Sequence, residues 1–152
     1  MQLKTDSRQP ISILFVEDDE IILELQSSIL AKSLPDVILY TAVNGRLGLE
    51  LFKTHTPDIV ITDINMSEMC GVQMAENIRA LTTVTKIIAI TGKSIKTSKH
   101  GEAVTICNPD GKTVKFDYVI VKPVDLSELF GVVEQFIGEI ITPAIKLSNY
   151  AA

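Results

Sequence analysis

The sequence predicts an α/β domain: a parallel β-sheet with helices packed on both faces. Two observations carry that expectation. Short β-branched and aromatic runs alternate with segments of helical apolar spacing along most of the chain. The runs are also too continuously apolar for strands with one face in water, so they suit strands buried on both faces.

Taken in order, Ile11 to Val16 is such a run, and it ends abruptly in Glu17-Asp18-Asp19-Glu20. A helix follows, with Ile22, Leu25, Ile29 and Leu30 at helical spacing and acids at its positive end. Pro35-Asp36 stops it, and Val37 to Ala42 reads as a second strand. Asn44 can cap a helix carrying Leu47, Leu51 and Phe52. After the turn His55-Thr56-Pro57-Asp58, Ile59 to Thr62 forms a third strand ending at Asp63. Val72 to Leu81 is helical, and Ile87 to Ile90 is a fourth strand ending at Thr91.

The rhythm then changes. Gly92 to Gly101 is polar and only weakly helical. Ala103 to Cys107 and Lys112 to Phe116 are strand-like, with Asn108-Pro109-Asp110-Gly111 between them. Pro-Asp-Gly is turn chemistry, so an inserted β-hairpin is expected at about 102–117. Val119 to Val121 is a fifth core strand, followed by Lys122-Pro123. The last helix has Asp125 as N-cap, Glu128 as the partner of a capping box, and a stripe of Leu126, Leu129, Phe130, Val133, Phe136 and Ile137. The pattern decays from Glu139, and Pro143 is expected to break any helix. Residues 1–10 read as an N-terminal extension, 11–138 as the domain, and 139–152 as a tail acting as a linker or packing arm.

The chain has 152 residues, 46% of them hydrophobic and 22% charged. That suits one soluble domain with a real core and leaves no room for a second output module. The net charge of -5 and the lack of a basic block argue against direct nucleic-acid binding. Lys93, Lys96 and Lys99 form one short basic stretch, read as a solvated face rather than a docking patch. Cys70 and Cys107 lack metal-ligand spacing and read as reduced thiols. No apolar run is long enough to span a membrane and no leader is visible, so the expected compartment is the cytoplasm.

In an open α/β sheet ligands bind at the carboxyl ends of the strands. The residues just past the strands are Glu17, Asp18 and Asp19, then Asp63, Thr91 and Lys122. Each alone has an ordinary explanation as a helix cap, a β-former or a solvated lysine. Together they gather carboxylates, a hydroxyl and an ammonium at one sheet edge. Crowded carboxylates repel and call for a cation. Oxygen-only ligands favour Mg2+ over Zn2+. A carboxylate beside such an ion can attack phosphorus and form an aspartyl-phosphate. Thr91 and Lys122 could then hold the phosphoryl oxygens.

The set Glu17-Asp18, Asp63, Thr91 and Lys122-Pro123 resembles the receiver domain of bacterial response regulators, over about residues 10–138. The segment Asp63-Ile64-Asn65-Met66-Ser67-Glu68-Met69-Cys70-Gly71 is similar to that family's phosphoacceptor segment, usually D-x-x-M-P-x-M-D-G. The resemblance implies a flavodoxin-like three-layer fold with a five-stranded parallel sheet in the order 2-1-3-4-5. It implies Asp63 as phosphoacceptor, Lys122 in contact with the phosphoryl group, Thr91 as the switch hydroxyl, and a cis peptide before Pro123. Mg2+ would be held by Asp63, an acid pair and the backbone carbonyl of Asn65. The pair is drawn from Glu17, Asp18 and Asp19, and the register of the following helix favours the first two.

Four features depart from the family pattern. Ser67 replaces the usual Pro and Cys70 the usual Asp. The stretch from Thr91 to Lys122 is longer than usual, so the fourth helix of an ordinary receiver is expected to be shortened or replaced. The usual switch aromatic falls at Val119, with Tyr118 one position earlier. A bulge would restore Tyr118 to that place; otherwise its coupling to Thr91 is lost or rebuilt.

The resemblance implies a domain that takes a phosphoryl group from a sensor histidine kinase onto Asp63. It would then shift a surface around strands four and five that an unknown downstream protein reads. Such a domain catalyses only its own phosphorylation and dephosphorylation and is no conventional enzyme. A homodimer is open to it. The alternative is a degenerate receiver, a protein-binding module that works without phosphorylation. A haloacid-dehalogenase-type phosphatase would need Asp where Asn65 stands, and a flavodoxin would need a Ser/Thr/Gly-rich loop where Glu17-Asp18 stand.

Overall fold

The computed structural model describes residues 9–92, 104–107 and 110–150, with no side chains described at 107 and 143–150. Seven strands and four helices occupy them. The order is β1 (Ser12–Val16), α1 (Glu20–Ser33), β2 (Ile38–Ala42), α2 (Gly45–His55), β3 (Ile59–Asp63), α3 (Gly71–Leu81), β4 (Lys86–Thr91), β5 (Val104–Cys107), β6 (Thr113–Phe116), β7 (Tyr118–Val121) and α4 (Leu126–Tyr150). β2-β1-β3-β4-β7 form one parallel sheet, and β5-β6 an antiparallel hairpin after β4. The expected order 2-1-3-4-5 holds, with β7 as the fifth core strand. The basic stretch around Lys93, Lys96 and Lys99 lies outside the described residues.

Period-two alternation divides the sheet residues between two cores. Leu14, Val16, Val60, Ile87 and Ala89 meet Leu49 and Phe52 of α2 and Met74 and Ile78 of α3. Ile13, Phe15, Ile59, Ile61, Ile88, Ile90 and Ile120 meet Leu23 and Leu30 of α1 and Leu129, Val133 and Phe136 of α4. The hairpin puts Val114 and fully buried Phe116 into the first core, covering sheet surface beside α3.

Helix caps fix the phases. Asp19 accepts from the amides of Ile21 and Ile22, and Asn44 from that of Leu47. The inward face of α1 is Leu23, Ser27 and Leu30, which corrects the stripe expected from sequence: Ile22 is 38% and Leu25 60% exposed. The true stripe has equally helical spacing, but the serine at its centre disguised it. Asp125 caps α4 through the amides of Ser127 and Glu128, while the Glu128 carboxylate accepts from the Tyr118 hydroxyl at 3.2 Å.

The expectation that Pro143 ends the last helix is overturned, since α4 runs 25 residues to Tyr150. The carbonyl that loses its partner to Pro143 belongs to Glu139, whose side chain is exposed and lies against Lys86 at 3.3 Å. Water can therefore satisfy that carbonyl. Among the described residues no helix is long and apolar enough to cross a membrane.

The insertion is fastened at the amino end of the sheet. Arg79, at the end of α3, donates to the carbonyls of Thr85 and Lys115 and pairs with Asp117 at 2.8 Å. The same Asp117 oxygen accepts from the Ile87 amide at 2.8 Å. Side-chain exposures of 15% and 11% make this a largely buried pair. Removing one partner strands the other, so Arg79→Ala should lower stability by about 3 kcal/mol in urea unfolding. Arg46→Ala, which breaks only exposed pairs, should cost about 0.5 kcal/mol. Equal losses would contradict the clamp.

Candidate functional site

β1 and β3 are neighbours, with Val16 opposite Thr62, so the residues that follow them emerge side by side. Glu17 and Asp18 leave β1 and Asp63 ends β3. Oxygen atoms of these three carboxylates lie within 4.8 Å of one another, an arrangement able to hold a metal ion. Glu17 and Asp63 are buried, and Asp18 is exposed at the rim. Asp19 is committed to the α1 cap.

The fourth and fifth sheet strands complete the edge. Thr91 ends β4, buried, and its carbonyl accepts from the Lys122 amide at 2.7 Å. The peptide between Lys122 and Pro123 is cis. Lys122 Nζ donates to Asp63 Oδ2 at 2.6 Å. The Asn65 amide donates to Asp63 Oδ1 at 3.2 Å, which places Asn65 beside the carboxylate. Both Asp63 oxygens thus have a donor.

The electrostatics follow from crowding. Burial pushes the Glu17 carboxyl up from 4.5 to about 7, aided by its hydrogen bond to Asp63 and that group's charge. Lys122 is held above its ordinary value, first by its bond to Asp63. The all-oxygen donor set fits Mg2+.

No aromatic stands at the expected switch position. β4 and β7 pair in unbroken register, Ala89 with Val119 and Thr91 with Val121. Val119 therefore shares the face of Thr91, on the side of the hairpin core. Tyr118 faces the α4 core and bonds to Glu128. No bulge returns it.

Sequence reasoning missed how the loop after Asp63 is seated. Arg46 on α2 reaches Glu68 at 3.4 Å, and Glu68 adopts φ 67. A pair so far apart in sequence leaves no periodic signal. Cys70 is the N-cap of α3, and its amide donates to Gln73 at 3.3 Å.

The raised Glu17 carboxyl gives a pH test. The fold favours its protonated form, so its stabilising contribution is full below about pH 4.5 and is lost as pH rises through about 7. With chelator present, the Tm of wild type relative to Glu17→Gln should fall across that window. A constant difference would refute the shift.

Comparison with known proteins agrees with this geometry. Residues 13–134 match the family model described as the response regulator receiver domain. The regulatory protein AtoC of Escherichia coli K12 is 35% identical over 123 residues, 81% of this chain and 24% of that protein. Hybrid signal transduction histidine kinase G of Dictyostelium discoideum is 29% identical over 136 residues, 88% of this chain and 4% of the kinase. The chain thus spans a small part of each relative. A two component transcriptional regulator AraC from Clostridium phytofermentans shares the fold, with TM-score 0.69 at 20% identity, covering 90% of this chain and 98% of that one. The family match, the sheet order and the acid edge agree: the chain belongs to the response regulator receiver domains.

Proposed function

We propose that this receiver accepts a phosphoryl group on Asp63 from the phosphohistidine of a sensor histidine kinase, in the cytoplasm. The observation that carries the reading is the Asp63 carboxylate, buried among Glu17 and Asp18 and gripped by Lys122 at 2.6 Å.

An Asp63 oxygen forms the new bond to phosphorus as the phosphorus–nitrogen bond breaks, and the imidazole leaves with the electron pair. The attacking oxygen must first be freed. Lys122 can release it, because its side chain is 40% exposed and can swing to the phosphoryl oxygens. There its charge offsets the negative charge that spreads over those oxygens. Thr91, on the neighbouring strand end, supplies a hydroxyl to the same oxygens. Glu17, Asp18, Asp63 and the Asn65 carbonyl would hold a Mg2+ ion, which supplies positive charge and open positions for phosphate oxygens. Glu17 must then give up its proton, so metal binding should release protons near neutrality.

The domain acts chemically on itself alone, by taking up the group and slowly hydrolysing it. The signal then passes to a protein partner through the surface around β4, β7 and the hairpin. Tyr118 is tied to Glu128, so motion of Thr91 would be felt first by Val119, Val114 and Phe116.

Incubation with acetyl phosphate and Mg2+ should add one phosphoryl group by intact mass. Asp63→Asn or a chelator should abolish it, and Lys122→Ala should slow loading by about a hundredfold. Absence of the adduct with both acetyl phosphate and a phosphorylated histidine kinase would contradict the reading. The phosphorylation-independent binding module would then take its place.

A further inference from the structure

We propose that Gly45 is a positioning residue for the loop that carries Asn65, a bare stretch of helix backbone against which that loop is seated. The inference rests on the metal-assisted reading of the site. Gly45 is buried at the first position of α2, directly after the Asn44 cap. Its backbone has no left-handed φ that would call for glycine, and a helix favours alanine. Contact alone explains the residue. A Cβ at position 45 would run into the Met69 carbonyl oxygen, with the Met69 carbonyl carbon and Cβ at 3.0 Å. The obstacle is largely backbone, so it cannot rotate away as a side-chain tip could.

The loop is pinched in the same way at its far end. A Cβ on Gly71 would strike the Asp63 carbonyl oxygen and stand 3.0 Å from the Ile64 Cα. The Gly71 amide donates to the Ile64 carbonyl at 2.9 Å. Between the two glycines, the Met69 amide donates to the Ser67 carbonyl at 2.8 Å, and Arg46 ties Glu68 from outside. The other helical glycines differ. The atoms nearest a Cβ on Gly48 are side-chain atoms of Met74 and Val16, and none lies within 4 Å of one on Gly131 or Gly138. α2 therefore acts as a template through Gly45. Moving Met69 outward would drag the loop that begins at Asn65, whose amide holds Asp63 Oδ1.

The test compares wild type, Gly45→Ala, Arg46→Gln and Leu49→Ala. Leu49 is buried on the same helix in the core shared with α3, does not touch the metal-binding carboxylates, and its loss reports the destabilisation of that core. Mg2+ affinity is read by calorimetry and loading by intact mass with acetyl phosphate. Gly45→Ala should weaken Mg2+ binding and slow loading, each by about tenfold. Arg46→Gln, which leaves the core untouched, should weaken Mg2+ binding by about twofold. Leu49→Ala should lower Tm and leave both readouts at wild-type values. The inference is overturned if Gly45→Ala binds Mg2+ like wild type, or if Leu49→Ala loses as much for the same fall in Tm. Should Gly45→Ala not fold, unchanged Mg2+ affinity in Arg46→Gln overturns it. Wild type that neither binds Mg2+ nor loads would sink the reading of the site, and this inference with it.

Discussion

Glu17, Asp18 and Asp63 are forced together because β1 and β3 are adjacent and in register, and their mutual repulsion is the constraint the rest of the edge answers. Two responses relieve it. Burial and the neighbouring Asp63 push the Glu17 carboxyl up to about 7, towards its neutral form. A cation from another strand can move in, which Lys122 does from the end of β7.

The insertion shows how much of this fold can be exchanged while that edge is kept. A hairpin covers sheet surface beside α3, with Val114 and Phe116 in the core. It is fastened at the amino end of the sheet by Arg79 and Asp117, far along the strands from Asp63. The acid edge and the clamp therefore occupy opposite ends of the same strands. What the insertion does reach is the face shared by Thr91 and Val119, where relatives in the family pattern place an aromatic. Tyr118 has been recruited instead to join β7 to the first turn of α4. On the Thr91 face, Val119 packs instead against the cluster that holds Val114 and Phe116.

The sheet and its order were legible because strands buried on both faces leave unmistakable apolar runs, each ending in a polar residue at the site. The hairpin was legible from Pro-Asp-Gly, and Gly111 adopts φ 87 as such a turn demands. Failures came where the decisive quantity was not local. The inward stripe of α1 contains Ser27, so apolar periodicity brings forward exposed Ile22 and Leu25 and catches Leu30 alone of the buried face. Pro143 does not stop α4 because the carbonyl it orphans belongs to exposed Glu139 and can reach water, which no local pattern reveals. The Arg79–Asp117 clamp and the approach of Gly45 to Met69 join residues with no sequence relation. By contrast, Glu17, Asp18, Asp63, Thr91 and Lys122 all lie at or just past the carboxyl ends of their strands, while Asp19 caps α1.

The central claim is that Asp63 itself becomes the acyl phosphate. Borohydride reduces an aspartyl-phosphate to homoserine, so the loaded protein can be reduced, digested and sequenced by tandem mass spectrometry. The account predicts homoserine at position 63 and at no other aspartate. Homoserine at Asp18 or elsewhere, or intact aspartate at 63 in protein carrying the added phosphoryl mass, would contradict it.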